Sequence, residues 1–166
     1  MKELNQHHTR FPRVRRHPAQ PVKSDVWHAQ KRVLTSKMRT GCSAENLVIW
    51  YLKQHNWTIC AKNYQTRRGE ADIIASKMNE DLKGYPTVTF VEVKSRTTTH
   101  GLAPEINVTQ TKRKKIISTM RHWIGTHEYD KAVYRCDIAA VSIARHKAPR
   151  IQYFKHAFYI REAFGW

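Results

Sequence analysis

Acidic residues are scarce in this chain: 13 Asp and Glu stand against 30 Lys and Arg, a formal charge of +17 over 166 residues. That imbalance points to a polyanionic partner, with nucleic acid first and an acidic membrane surface second. Cysteine is scarcer still. Cys42, Cys60 and Cys136 are odd in number, widely spaced and form no Cys-x-x-Cys pair. Neither a disulfide framework nor a zinc ribbon is predicted, and a reducing cytosol (a cytoplasmic protein) fits best. No apolar run is long enough to span a bilayer, and no basic amphipathic helix supports a membrane-surface role. The basic start lacks an apolar stretch behind it, so no secretory signal is read there, although its Arg-rich, acid-poor composition is also that of a transit peptide. The ten His residues form no ligand pattern, and there is no internal repeat. The length suits one domain with residues to spare.

The spare residues come first. Residues 1–39 carry ten Lys and Arg against Glu3 and Asp25, broken by prolines and without helical or strand period. They read as a basic, disordered N-terminal extension that also serves as a salt-sensitive phosphate-binding arm. Met38, just before the domain, offers an alternative start. Residues 40–160 read as the folded domain, which is basic in its own right.

Within it, Ser43 or Thr40 caps a helix running to His55, with Glu45, Val48, Ile49 and Leu52 on one face. Trp57–Ala61 reads as a strand running out towards Tyr64, then Arg67-Arg68-Gly69 as a turn. Gly69–Ala75 is a second strand, and a polar connection over 79–84 leads to a third, antiparallel to it. The hydroxyl-rich loop at 97–101 reads as mobile. A helix from Thr109 to Gly125 follows, and Val133–Ile143 and Arg150–Phe158 close the chain as strands. The order predicts an α/β fold, a mixed sheet flanked by helices.

The third strand, Val88-Thr89-Phe90-Val91-Glu92-Val93-Lys94, is the centre of the reading. Its side-chain period of two puts Val88, Phe90, Glu92 and Lys94 on one face, so an apolar row ends in a carboxylate and an ammonium. Such charges are costly in a core unless paired or bound to metal. Asp72, on the neighbouring strand, and Glu45, on the helix, complete an ordered set of acids. Three carboxylates suit a hard divalent cation, Mg²⁺ with Mn²⁺ as substitute, which activates water and stabilises charge on a phosphate. Lys94 is placed to polarise the water or neutralise the developing charge. Arg67, Arg68, Arg96, Lys112, Lys114 and Lys115 are the candidates to hold a nucleic-acid backbone. The basic first turns of the second helix oppose its dipole, as an anion-binding helix would. The plainer alternatives are a cross-strand salt bridge for Glu92 and Lys94, a dipole-stabilising acid for Glu45 and a solvated face for the lysines. Glu70 is a reserve ligand, Asp137 is left open, and His122 and His127 read as surface residues.

The ordered set resembles the PD-(D/E)XK nuclease superfamily, with its restriction-endonuclease-like fold, and more narrowly the YraN family of endonuclease-like bacterial proteins. The matching residues are Gly41 with Ala44-Glu45, Tyr51-Leu52, Gly69-Glu70-Ala71-Asp72-Ile73-Ile74-Ala75 and Phe90-Val91-Glu92-Val93-Lys94-Ser95-Arg96. Further on they are Gly101 with Pro104, Lys112 with Lys115-Ile116, Arg135 with Asp137-Ile138, and Ala157-Phe158. The N-terminal extension and Trp57 depart from the family pattern. The resemblance implies Asp72 and Glu92 as metal ligands, Lys94 as the catalytic lysine and Glu45 as an additional helix acid. The same arrangement is similar to that of archaeal Holliday-junction resolvases. It implies a metal-dependent endonuclease acting on branched DNA in recombination or repair, as a homodimer. The other reading is a nuclease-fold binding protein with little catalysis, recruited by a partner helicase or ribonucleoprotein.

Overall fold

The structure, a computed structural model, describes residues 24–28, 43–78, 84–97, 108–127, 132–143 and 148–158, without the side chains of Ser24, Val26, Trp27, His28, Arg96 and Thr97. The expectations for most of the extension, for 79–83 of the polar connection, for 98–101 of the hydroxyl-rich loop and for the Gly101/Pro104 pair lie outside those residues. The elements are β1 (Ser24–His28), α1 (Ala44–Gln54), β2 (Thr58–Thr66), β3 (Gly69–Met78), β4 (Pro86–Thr97), α2 (Gln110–Thr126), β5 (Val133–Ile143) and β6 (Arg150–Phe158). The strands form one six-stranded sheet in the order β1-β6-β5-β4-β3-β2. Only β4 and β5 pair in parallel, joined by the crossover that contains α2. All other neighbours are antiparallel. The result is the mixed α/β sheet that the sequence predicts, compatible with the restriction-endonuclease-like fold. Among the described residues no helix is long and apolar enough to cross a membrane.

One strand comes from inside the stretch read as extension. Ser24–His28 pairs antiparallel with β6, Ser24 opposite Phe154 and His28 opposite Arg150. Asp25 pairs with Lys155 at 2.7 Å. Five residues without Pro or Gly, with Val and Trp at their centre, suit an edge strand. The partner edge lies more than a hundred residues away in sequence, so local composition does not announce the pairing.

Each helix covers one face. Ser43 caps α1 by accepting from the Asn46 amide at 3.3 Å. Beyond the C-cap at His55, Asn56 turns left-handed (φ 61°) and the Trp57 amide returns to the Leu52 carbonyl at 3.0 Å. The buried stripe of α1 is Leu47, Val48, Tyr51 and Leu52, packed on Ile73, Ala75, Val91, Ala139, Val141, Ile151 and Tyr153. Relative to the predicted stripe the face is rotated: Ile49 is only partly buried and Glu45 sits at the edge. On the other face α2 lays Ile116, Ile117, Met120 and Trp123 on Ile74, Val88, Phe90, Cys136, Ile138 and Ala140. Each fully buried Ile, Leu or Phe contributes about 1.5–3 kcal/mol.

Gly69 fixes how closely α2 lies on the sheet. A Cβ there would stand 2.8 Å from the Lys115 Cβ and 2.9 Å from the Lys115 carbonyl oxygen. Gly69→Ala is therefore expected to push the first turns of α2 outwards and to cost about 1–3 kcal/mol. Urea unfolding of the two proteins measures the loss.

Asp137 belongs to the α1 face, away from Glu92. It is fully buried, and its carboxylate accepts from Arg135 Nε at 2.9 Å, Tyr153 Oη at 2.8 Å and the His156 amide at 3.0 Å. Burial holds the Tyr153 phenol well above its ordinary range, so it stays a donor. The Arg135 guanidinium lies 4.8 Å from the centre of the Trp57 ring. Asp137 is thus a core carboxylate holding β5 and β6 together, and the question left open for it in the sequence is answered.

Candidate active site

The site begins where β3 and β4 part. Their register runs from Met78–Pro86 to Ile73–Val91 and stops there. Towards the start of β3, the Val93 amide donates to Asp72 Oδ2 at 2.7 Å. The strand rolls at the same point: Ala71 packs on the α2 face and Ile73, two residues on, on the α1 face. Opposite Asp72 in β2 stands Asn63, left-handed at φ 50° between the pairs Lys62–Ile73 and Tyr64–Ala71. Asn adopts that conformation more readily than most residues. Asp72 therefore lies between the two layers, in a notch between the strands.

Glu92 enters from the α2 face with 4% of its surface exposed. Lys94 Nζ stands 3.1 Å from its Oε1 and Lys112 Nζ 3.2 Å from its Oε2. Lys112 also reaches Glu70 Oε1 at 3.4 Å. From the α1 side, Glu45 is paired with Lys62 at 3.4 Å. Burial, against the pull of the Val93 amide, and the charges of Glu92 and Glu45, against that of Lys112, push Asp72 up to about 6. Burial alone would lower Lys112, but Glu92, Asp72 and Glu70 outweigh it and hold the ammonium above its ordinary value. Asp72 thus feels Glu92 from one helix layer and Glu45 from the other.

This has a pH consequence. A carboxyl raised in the folded state favours folding while protonated, and that contribution disappears as pH rises through the folded value. Asp72→Asn keeps an acceptor for Val93 without the charge. It is expected to melt at the same temperature as wild type near pH 4, and a few degrees higher by pH 7. Thermal melts across that range check the divergence.

Asp72, Glu92, Lys94 and Glu45 therefore gather around one notch, but they do not form a ready-made metal cage. Among the described residues no three Asp, Glu, His or Cys side chains stand close enough together to hold an ion. Lysines neutralise the acids instead. The donor chemistry still fits a hard cation: every acid offers oxygen only, and buried Glu92 Oε2 makes no hydrogen bond, only its ion pair with Lys112. Of the basic candidates, Arg67 and Arg68 lie exposed in the turn leading into β3, and Lys114 and Lys115 are exposed on α2. Arg96 lies in β4 opposite Ser142. Lys112 differs from expectation in pointing inwards at Glu92. Nothing local in the sequence marks Lys62, because its contact with Glu45 depends on how α1 lies over β2. The basic first turns of α2 mark Lys112 as a candidate for an anion, but not its turn towards Glu92. His122 is exposed and bonded to Tyr64 Oη at 2.8 Å, and His127 stacks on Trp123, so both lie apart from the notch.

A family model described as uncharacterised protein family UPF0102 matches residues 44–141, a span that contains all four residues of the notch. A UPF0102 protein of Nitrosomonas europaea is 33% identical over 125 residues, 75% of this chain and 98% of that protein. Another, from Geobacter metallireducens, is 30% identical over 118 residues, 71% of this chain and 90% of its own length. A third, from Syntrophus aciditrophicus, is 33% identical over 125 residues, covering 75% of this chain and 92% of the relative. The chain belongs to the UPF0102 family, the YraN family that its motifs resemble.

Proposed function

We propose that the protein is a metal-dependent endonuclease that hydrolyses DNA phosphodiester bonds, acting on branched intermediates of recombination or repair. The observation that carries this reading is the gathering of Asp72, Glu92, Lys94 and Glu45 at the parting of two core strands in a strongly basic chain. Asp72 and Glu92 would hold Mg²⁺ or Mn²⁺, with Glu45 joining from α1. When bound, such an ion supplies activation of water and neutralisation of phosphate charge. Lys94, fixed beside Glu92, orients the attacking water and offsets charge on the non-bridging oxygens. Arg67, Arg68, Arg96, Lys114 and Lys115 hold the backbone through charge, so binding should weaken steeply with salt. Cutting both strands of a junction calls for two sites, hence a homodimer in the cytosol, with a helicase or recombination protein as partner.

A second reading is a binding module without turnover. The lysine-neutralised acids and the absence of a ready-made cage among the described residues favour it.

The test joins cleavage to metal binding. Labelled duplex, single-stranded, flap and four-way-junction DNA are incubated with the protein in Mg²⁺, Mn²⁺ or chelator. Calorimetry measures the ions on wild type and Asp72→Ala. Metal-dependent cutting, with ion binding lost in a folded Asp72→Ala, is the expected result. DNA binding without ion uptake would turn the assignment to the binding module.

A further inference from the structure

Among the basic candidates whose side chains are described, Lys112 is the one that turns its ammonium into the notch. It comes from the first turn of α2, opposing the helix dipole, and bridges a buried acid and an exposed one. Glu92 Oε2 lies 3.2 Å away and Glu70 Oε1 3.4 Å away. Glu92 is 4% exposed and Glu70 54% exposed. The other Glu92 oxygen is already held by Lys94 at 3.1 Å. Both oxygens of this buried acid are therefore covered by ammonium groups, and among the described residues Lys112 is the one of the two with a second acceptor within reach.

We propose that Lys112 is a built-in counter-ion that guards Glu92 in the free protein, and that Glu70 is the acceptor to which its ammonium withdraws when Glu92 takes a divalent cation. The inference rests on the metal-site reading above and adds to it a positioning residue and its resting place. A buried carboxylate without a partner is costly, so a cation must compete with Lys112 for Oε2. Glu70 lowers the cost of that exchange, because the ammonium leaves one carboxylate for another. Phosphate near the notch would attract the released ammonium further. Metal uptake and DNA binding would then favour each other.

Calorimetric titration of Mg²⁺ and Mn²⁺, without DNA, into wild type, Lys112→Gln, Lys112→Ala and Glu70→Gln tests this. Circular dichroism first establishes that each is folded, and the glutamine variant keeps a polar chain should alanine disturb α2. Removing the competing charge is expected to tighten ion binding by about tenfold or more. Glu70→Gln is expected to weaken it, since Lys112 then has only a neutral amide oxygen to withdraw to. A lysine with a merely structural role would give unchanged or weaker binding in the Lys112 variants. That outcome, with wild type still taking up metal, overturns the guard and leaves the site assignment standing. No ion uptake by any of the four proteins overturns both.

Discussion

If the notch is the nuclease site proposed, replacing Lys94 by alanine is expected to leave a folded, DNA-binding protein that no longer cuts. Lys94 is a third exposed on its strand and makes one described ion pair, to Glu92 Oε1. Its removal does not strand Glu92, because Lys112 still faces the other oxygen. The loss of stability should therefore stay near the size of a partly exposed ion pair, about 1 kcal/mol. The loss of rate should be far larger. A group that stabilises charge only as the phosphate reacts acts on the barrier, and its removal costs about 10³-fold in turnover. DNA affinity should change by less than about tenfold, since one phosphate contact among several is lost. Single-turnover cleavage alongside a binding titration separates the two. Equal cutting by Lys94→Ala and wild type would remove Lys94 from the chemistry.

The largest effect on stability is expected far from the notch. Asp137→Ala removes the acceptor of three donors at once, Arg135 Nε, Tyr153 Oη and the His156 amide. Arg135 is left with 12% of its side chain exposed and, among the described residues, no carboxylate paired with it. Breaking a buried ion pair by deleting one partner costs about 3–5 kcal/mol, a large part of a typical domain's 5–15 kcal/mol. Tyr153→Phe deletes one hydrogen bond and should cost about 1 kcal/mol. Urea unfolding of both orders them. Because Asp137 lies on the face away from Glu92, whatever Asp137→Ala remains folded should bind divalent ions as wild type does.

The contrast between the two aspartates shows what the sequence makes legible. Periods of two and of about 3.6, with turn residues, mark every element from α1 to β6, including the start of α2 near Thr109 and the Arg67-Arg68 turn; the cap of α1 is left between Thr40 and Ser43, and the structure describes Ser43 in that place. They also put Glu92 and Lys94 on one face, because that needs only the alternation of a strand. Asp72 and Asp137 look alike in sequence, each an acid within an apolar strand. What separates them is the partner that folding brings: the Val93 amide for one, Arg135 and Tyr153 for the other. Those partners lie on different strands or face different layers, and no local pattern encodes them. Edge strand β1 escaped for the same reason. So did the inward turn of Lys112, whose partners Glu70 and Glu92 are 42 and 20 residues away.

The unequal seams of β4 have a mechanical consequence. On one side β4 is laced to β5 in continuous register from Thr87–Val133 to Thr97–Ile143. On the other, its register with β3 ends at Val91, and one amide-to-carboxylate bond continues the seam. Glu92 and Lys94 thus sit on the strand laced to β5 and Asp72 on the strand laced to β2, with the Val93–Asp72 bond joining them. The spacing of the two acids is therefore set across the one seam of the site where ladder pairing has stopped. The Val93 amide is its natural gauge: its solvent exchange should slow whenever a ligand draws the two strands together and quicken when Asp72 lets go.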